Sequence, residues 1–189
     1  MNHRYFQKFQ IKDVVFLAIM SAVALATCAV MPLVISLQPL IFGISQLVTA
    51  LQIGVFFAIG LYKVRKPGSL LIMALMMGLI QLMMSPPMFL SSVLNGILIE
   101  LIVLLLFRGY EKDAAVFCAA MLHTPLSLPF NYLYNRLIQG ADSPLAAVAD
   151  RAPLAAVGMT LAVVAVSALG ALIGIKIARE LKKSGVLKK

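Results

Sequence analysis

One carboxylate, Glu100, lies deep within an otherwise apolar run, at the end of the polar track SSVLNGILIE that begins at Ser91 and includes Asn95 and Gly96. Ionisable groups inside membrane helices are costly and usually face the bundle interior, where they pair or touch a substrate. Glu100 therefore has two readings: it recognises a cationic or donor-rich ligand, or it makes a structural hydrogen bond to another helix. A second polar run, HTPLSLPFNYLYN, spans residues 123–135. His123, Asn131, Tyr132, Tyr134 and Asn135 supply donors, acceptors and ring faces, while Pro125 and Pro129 free backbone carbonyls. A few polar groups among apolar walls are what a small-molecule pocket needs. The candidate substrate-binding set is Asn95, Glu100, His123, Asn131, Tyr132 and Tyr134. The plainer alternatives are interfacial tyrosines and a satisfied buried histidine.

The motifs offer little catalysis. The chain has no G-x-x-x-x-G-K-[ST] phosphate loop, no H-E-x-x-H and no G-x-S-x-G. With two histidines, and Cys28 and Cys118 inside apolar runs, no metal-ligand spacing appears and no cofactor is implied.

The elements that position these groups are membrane helices. Of 189 residues, 62% are hydrophobic and 12% charged, and the mean hydropathy is +1.00, whereas soluble domains carry about 25% charged residues. No Asp, Glu, Lys or Arg occurs from Val14 to Tyr62, a stretch of about 75 Å if helical, against a bilayer core of ~30 Å. It must cross twice, with its turn near Pro32–Pro39. The uncharged run from Pro67 to Ile99 is broken by Ser85–Pro87 and reads the same way. Two further runs complete an all-α integral membrane protein: one domain, 1–189, forming a bundle of six transmembrane helices at about 13–36, 39–62, 68–84, 88–107, 113–135 and 153–180. Fourteen of the 16 Lys and Arg fall at one end, and only Arg136 and Arg151 at the other. The positive-inside rule then places both termini in the cytoplasm. The same bias explains the net charge of +9 without nucleic acid, and lets the basic C-terminal tail rest on anionic lipid.

The first run, FLAIMSAVALATCAV, repeats its smallest residues four apart, at Ala18, Ala22 and Ala26. Such a row makes a shallow groove along one helix face. Helices associate in lipid by close approach, so the row is a docking face, for a neighbour inside the bundle or for another protein.

The order of AIMSAVALA, YKVRKPGSLL, NGILIELIVLL and GALIGIKIARELKKSGVLKK along the chain resembles a substrate-binding S subunit of an energy-coupling-factor (ECF) vitamin transporter, nearest the hydroxymethylpyrimidine/thiamin-related subgroup. The resemblance implies a bacterial plasma-membrane protein, not an enzyme, that captures a vitamin or vitamin precursor from outside. In that family the A-x-x-x-A face meets a transmembrane T subunit coupled to two ATPase subunits, which would make Ala18, Ala22 and Ala26 the partner-docking groove. The chain has no Trp, so stacking on a ligand ring would fall to Tyr or Phe. Two other functions are open: an intramembrane enzyme using His123 and Glu100, and an autonomous ion-coupled carrier.

Overall fold

The computed structural model describes residues 8–28, 33–34, 36–37, 40–140 and 143–186, and within them the regular structure is helical throughout. Its helices are α1 (Ile11–Thr27), α2 (Ile44–Lys63), α3 (Ser69–Leu82), α4 (Pro86–Phe107), α5 (Asp113–Tyr134), α6 (Pro144–Arg151) and α7 (Pro153–Lys183). A single π-helical turn, Asn135–Gln139, continues α5.

Local chemistry sets the helix starts. At α1, the backbone N–H of Gln10 donates to Asp13 Oδ2 at 3.1 Å, one half of a capping box. Helices α4 and α7 begin on Pro86 and Pro153, whose missing N–H costs nothing in a first turn. Ahead of α3, Gly68 takes φ 91°, a left-handed conformation that a side chain would strain.

The first expected crossing, 13–36, ends as a helix at Thr27, and the second starts at Ile44 rather than 39. Much of the turn expected near Pro32–Pro39 lies outside the described residues. A short helix, α6, occupies the connection expected to be a loop. Among the described residues three helices, α2, α4 and α7, are long and apolar enough to cross a membrane, and α3 is a shorter apolar helix. Helix α5 has the length, but its histidine, prolines and asparagine dilute its apolar character.

Helix α2 is the centre of the bundle, packing on α7, α5 and α1, while α3 packs mainly on α4. The α2–α7 contact is the most extensive, and glycine lets the two backbones approach closely. A Cβ on Gly174 would sit 2.4 Å from the Val55 carbonyl oxygen, and one on Gly170 would sit 2.5 Å from that of Leu51. From the opposite helix, a Cβ on Gly54 would lie 2.9 Å from the Ser167 carbonyl. Lipid tails are as apolar as leucine, so such helices gain by van der Waals approach rather than by leaving water. The pair Gly170–Gly174 is a G-x-x-x-G face used within one chain.

The two ends of the bundle differ. Toward the basic end, Leu17, Phe57, Leu61, Leu70, Met73, Ile99, Val103, Tyr110 and Val116 are fully enclosed in one core. Toward the other end the second buried cluster is small, Ala50, Leu128 and Val163. The larger buried core lies toward the basic end, and the cavity opens toward the other.

Ion pairs tie the basic end. Arg65 pairs with Asp113, and Arg179 reaches the same carboxylate at 2.6 Å. Lys66 bonds Asp13 Oδ2 at 2.7 Å and the Lys8 carbonyl at 2.9 Å. The segment between α2 and α3 thus holds the starts of α1 and α5, and Asp113 in turn ties α5 to Arg179 of α7.

Candidate functional site

A cavity of about 240 Å³ opens in the half remote from the basic end. Each wall comes from the helix portion that lies there. The end of α1 gives Leu25 and Cys28; the first half of α2 gives Gln46, Thr49 and Ile53; the end of α3 gives Met77 and Gln81. The start of α4 adds Ser91, Ser92 and Asn95, and α5 adds His123, Thr124, Ser127, Asn131 and Tyr134.

Prolines shape the α5 wall. Pro125 has no N–H, so it cannot bond the carbonyl one turn back, that of Met121. Ser167 of α7 takes that place, its Oγ donating to Met121 O at 2.7 Å. Asn95 grips the same helix lower down. In the amide orientation that satisfies both of its polar atoms, its nitrogen donates to Leu126 O and its oxygen accepts from the Ser127 N–H, each at 3.3 Å. Across the cavity, Ser92 Oγ donates to the Ala74 carbonyl at 2.9 Å, joining α4 to α3.

His123 and Thr124 differ from these braces. Each is only 4% exposed and lines the cavity. Neither imidazole nitrogen, nor the Thr124 hydroxyl, has a hydrogen-bond partner among the described residues. The His123 ring rests on Phe57, with centroids 4.4 Å apart. Buried polar atoms are nearly always paired, because an unmade bond costs about 1–3 kcal/mol. Two adjacent unpaired residues in one cavity wall mark where a ligand's polar atoms would be received.

Of the six residues expected to bind substrate, the structure brings four to this cavity: Asn95, His123, Asn131 and Tyr134. Glu100 is not in its lining. Its Oε1 accepts the Gly68 N–H at 2.6 Å, and its Oε2 accepts the Tyr110 hydroxyl at 2.9 Å. The carboxylate holds the first turn of α3, where backbone N–H groups lack helical partners. Of its two readings, this geometry matches the structural one. Tyr110 is fully buried, and burial first, then the adjacent Glu100 carboxylate, push its hydroxyl well above the ordinary tyrosine range. It stays a donor to Glu100 at any physiological pH.

Tyr132 also lies off the lining. Its hydroxyl donates to Asp150 Oδ1 at 2.8 Å, and Arg136 bonds the other carboxylate oxygen at 2.6 Å. Together they fasten α6 to the end of α5. Ser143, just ahead of α6, donates to Asn135 Oδ1 at 3.2 Å, and Asn135 is itself a lining residue.

The alanine row is divided from the bundle interior. Leu17, Ser21 and Ala24 of α1 face inward, as does Cys28 just after it, with Ser21 Oγ bonding Met73 O at 3.1 Å. Ala22 and Ala26 are exposed and Ala18 is half-buried. The docking groove is thus not filled by another described helix of this chain.

Ser92, Thr124 and Ser127 line the cavity from within the two polar runs without having been singled out there, and Gln46 and Thr49 line it from α2, outside both runs. Gln46 and Thr49, three apart, fall on one helix face, as do Ser91 or Ser92 with Asn95. That spacing was the available signal, and small uncharged side chains in apolar runs make it faint.

The helices and their cavity define an all-helical integral membrane protein. Residues 11–183 match the family described as hypothetical bacterial integral membrane proteins (Trep_Strep), and the chain belongs to that family. No curated protein and no solved structure matches the chain.

Proposed function

We propose that this chain is the substrate-capture (S) subunit of an ECF-type importer, binding a vitamin or vitamin precursor for separate T and ATPase subunits. In this reading it is a multi-pass protein of the bacterial cell membrane, six helices crossing and both termini cytoplasmic. The basic end faces inward by the positive-inside rule, so the cavity opens to the outside. A solute enters there and is held by the walls of α2, α4 and α5. The chain itself performs no chemistry, and the energy comes from ATP hydrolysed in other subunits.

The observation that carries the proposal is the unpaired His123–Thr124 wall in a cavity remote from the basic end. The exposed Ala22 and Ala26 add a face of small residues for the T subunit. The rival intramembrane enzyme needs His123 and Glu100 at one site. His123 lines the cavity while both Glu100 oxygens are engaged by Gly68 and Tyr110, which favours capture over catalysis.

Co-expression with an ECF T subunit and its ATPases tests the proposal. The wild-type chain is expected to co-purify with them, and Ala22→Leu to lose that association while still binding solute. Uptake by the chain alone, driven by an ion gradient, would establish the autonomous carrier instead.

A further inference from the structure

The cavity that receives the solute in the proposed function also limits the solute's charge. Among the described residues its lining contains no Asp, Glu, Lys or Arg. Glu100 of α4 is committed to Gly68 and Tyr110, and Asp150 of α6 to Tyr132 and Arg136. Burying an ion without a counter-charge costs far more than burying a neutral dipole. The wall instead offers amides and hydroxyls, Gln46, Thr49, Gln81, Ser91 and Asn131, over the apolar side chains of Leu25, Ile53 and Met77.

From this wall we infer that the ligand is an uncharged heterocycle of one or two rings, bearing hydrogen-bond donors and acceptors together along its edge. The inference rests on the capture reading. An uncharged imidazole presents one donor and one acceptor, and a hydroxyl presents both. His123 and Thr124 therefore complement a mixed edge, such as the amide or amidine edge of a pyrimidine or purine base. A cavity of about 240 Å³ has room for a flat ring system and its substituents. A cation such as thiamin and an anion such as orotate would each enter without a counter-ion.

The test uses the full-length protein in mild detergent, with binding read by thermal shift and native mass spectrometry. The probes are uracil, adenine and 4-amino-5-hydroxymethyl-2-methylpyrimidine as uncharged compounds, thiamin as the cation and orotate as the anion. An uncharged probe is expected to bind at least 100-fold more tightly than thiamin or orotate. His123→Ala and Thr124→Val are each expected to weaken it tenfold or more, the second variant serving if the first fails to fold. Asp142 is the one charged residue in the internal segments outside the described residues, and Asp142→Asn is expected to bind like wild type. Thiamin or orotate binding as tightly as the best uncharged probe would overturn the charge inference and leave capture standing. Binding of none of the five would overturn both.

Discussion

Ser167 Oγ donates a hydrogen bond of 2.7 Å to the carbonyl of Met121, the acceptor that Pro125 leaves without its helical partner. A proline one helix away thus dictates a serine on α7, and the bond fixes the wall on which His123 stands. Polar bonds between membrane helices average about 0.6 kcal/mol and reach ~1.7. Ser167→Ala is expected to fall near the upper value, because it leaves a buried acceptor unpaired. The loss should appear as a lower unfolding temperature in detergent. Pro125→Ala restores an N–H at position 125, so in the double variant most of the loss should return. Independent, additive losses would show that the two residues are not coupled in this way.

The contact of α2 with α7 makes a sharper prediction. Gly174→Ala places a methyl carbon 2.4 Å from the Val55 carbonyl and 2.7 Å from Ala58 Cβ, so the helices must part. Overpacking of this kind costs about 1–3 kcal/mol. Gly158 lies on the same helix, with nothing within 4 Å of an added Cβ. Gly158→Ala should therefore be neutral or stabilising by up to ~1 kcal/mol, as expected for helix propensity. Equal unfolding temperatures for the two variants would contradict the close approach.

Glu100 separates stability from binding. Removing its carboxylate leaves the Gly68 N–H and the buried Tyr110 hydroxyl without an acceptor. Glu100→Ala is expected to lose about 2–3 kcal/mol of stability, since bonds to charged groups are worth more than neutral ones. Solute affinity should stay within about twofold, the residue being off the cavity lining. His123→Ala should do the reverse, with little loss of stability and a tenfold or greater loss of affinity, about 1.4 kcal/mol. If Glu100→Ala weakens binding in proportion at unchanged stability, the carboxylate touches solute after all.

The positions of most helices were legible because charge is nearly confined to their ends: Lys63–Lys66 and Arg108–Asp113 bracket a run whose one charged residue is Glu100. The polar run from His123 was legible as a cavity wall for the same reason that it is rare, polar atoms being expensive in lipid. Glu100 drew attention by that rule too, but its partners Gly68 and Tyr110 become neighbours only when α3 and α4 pack. No local spacing announces them. Tyr132 was harder still, since its partner Asp150 belongs to α6, a helix of eight residues whose apolar alanines did not distinguish it from a connection. The G-x-x-x-G of Gly170 and Gly174 was present in the sequence and went unread as a packing face, because spacing alone does not say whether such a face meets its own chain or another. The alanine row of α1 carried the same ambiguity, and there the exposure of Ala22 and Ala26 leaves the face open.

The central claim is that the hollow half of this bundle holds a solute, and native mass spectrometry of the protein purified in mild detergent tests it most directly. The wild-type chain is predicted to carry a retained small molecule that disappears when Ser91→Phe fills the cavity from α4. A chain of bare mass under conditions that preserve lipid adducts, or an adduct that survives the filled cavity unchanged, would contradict the account.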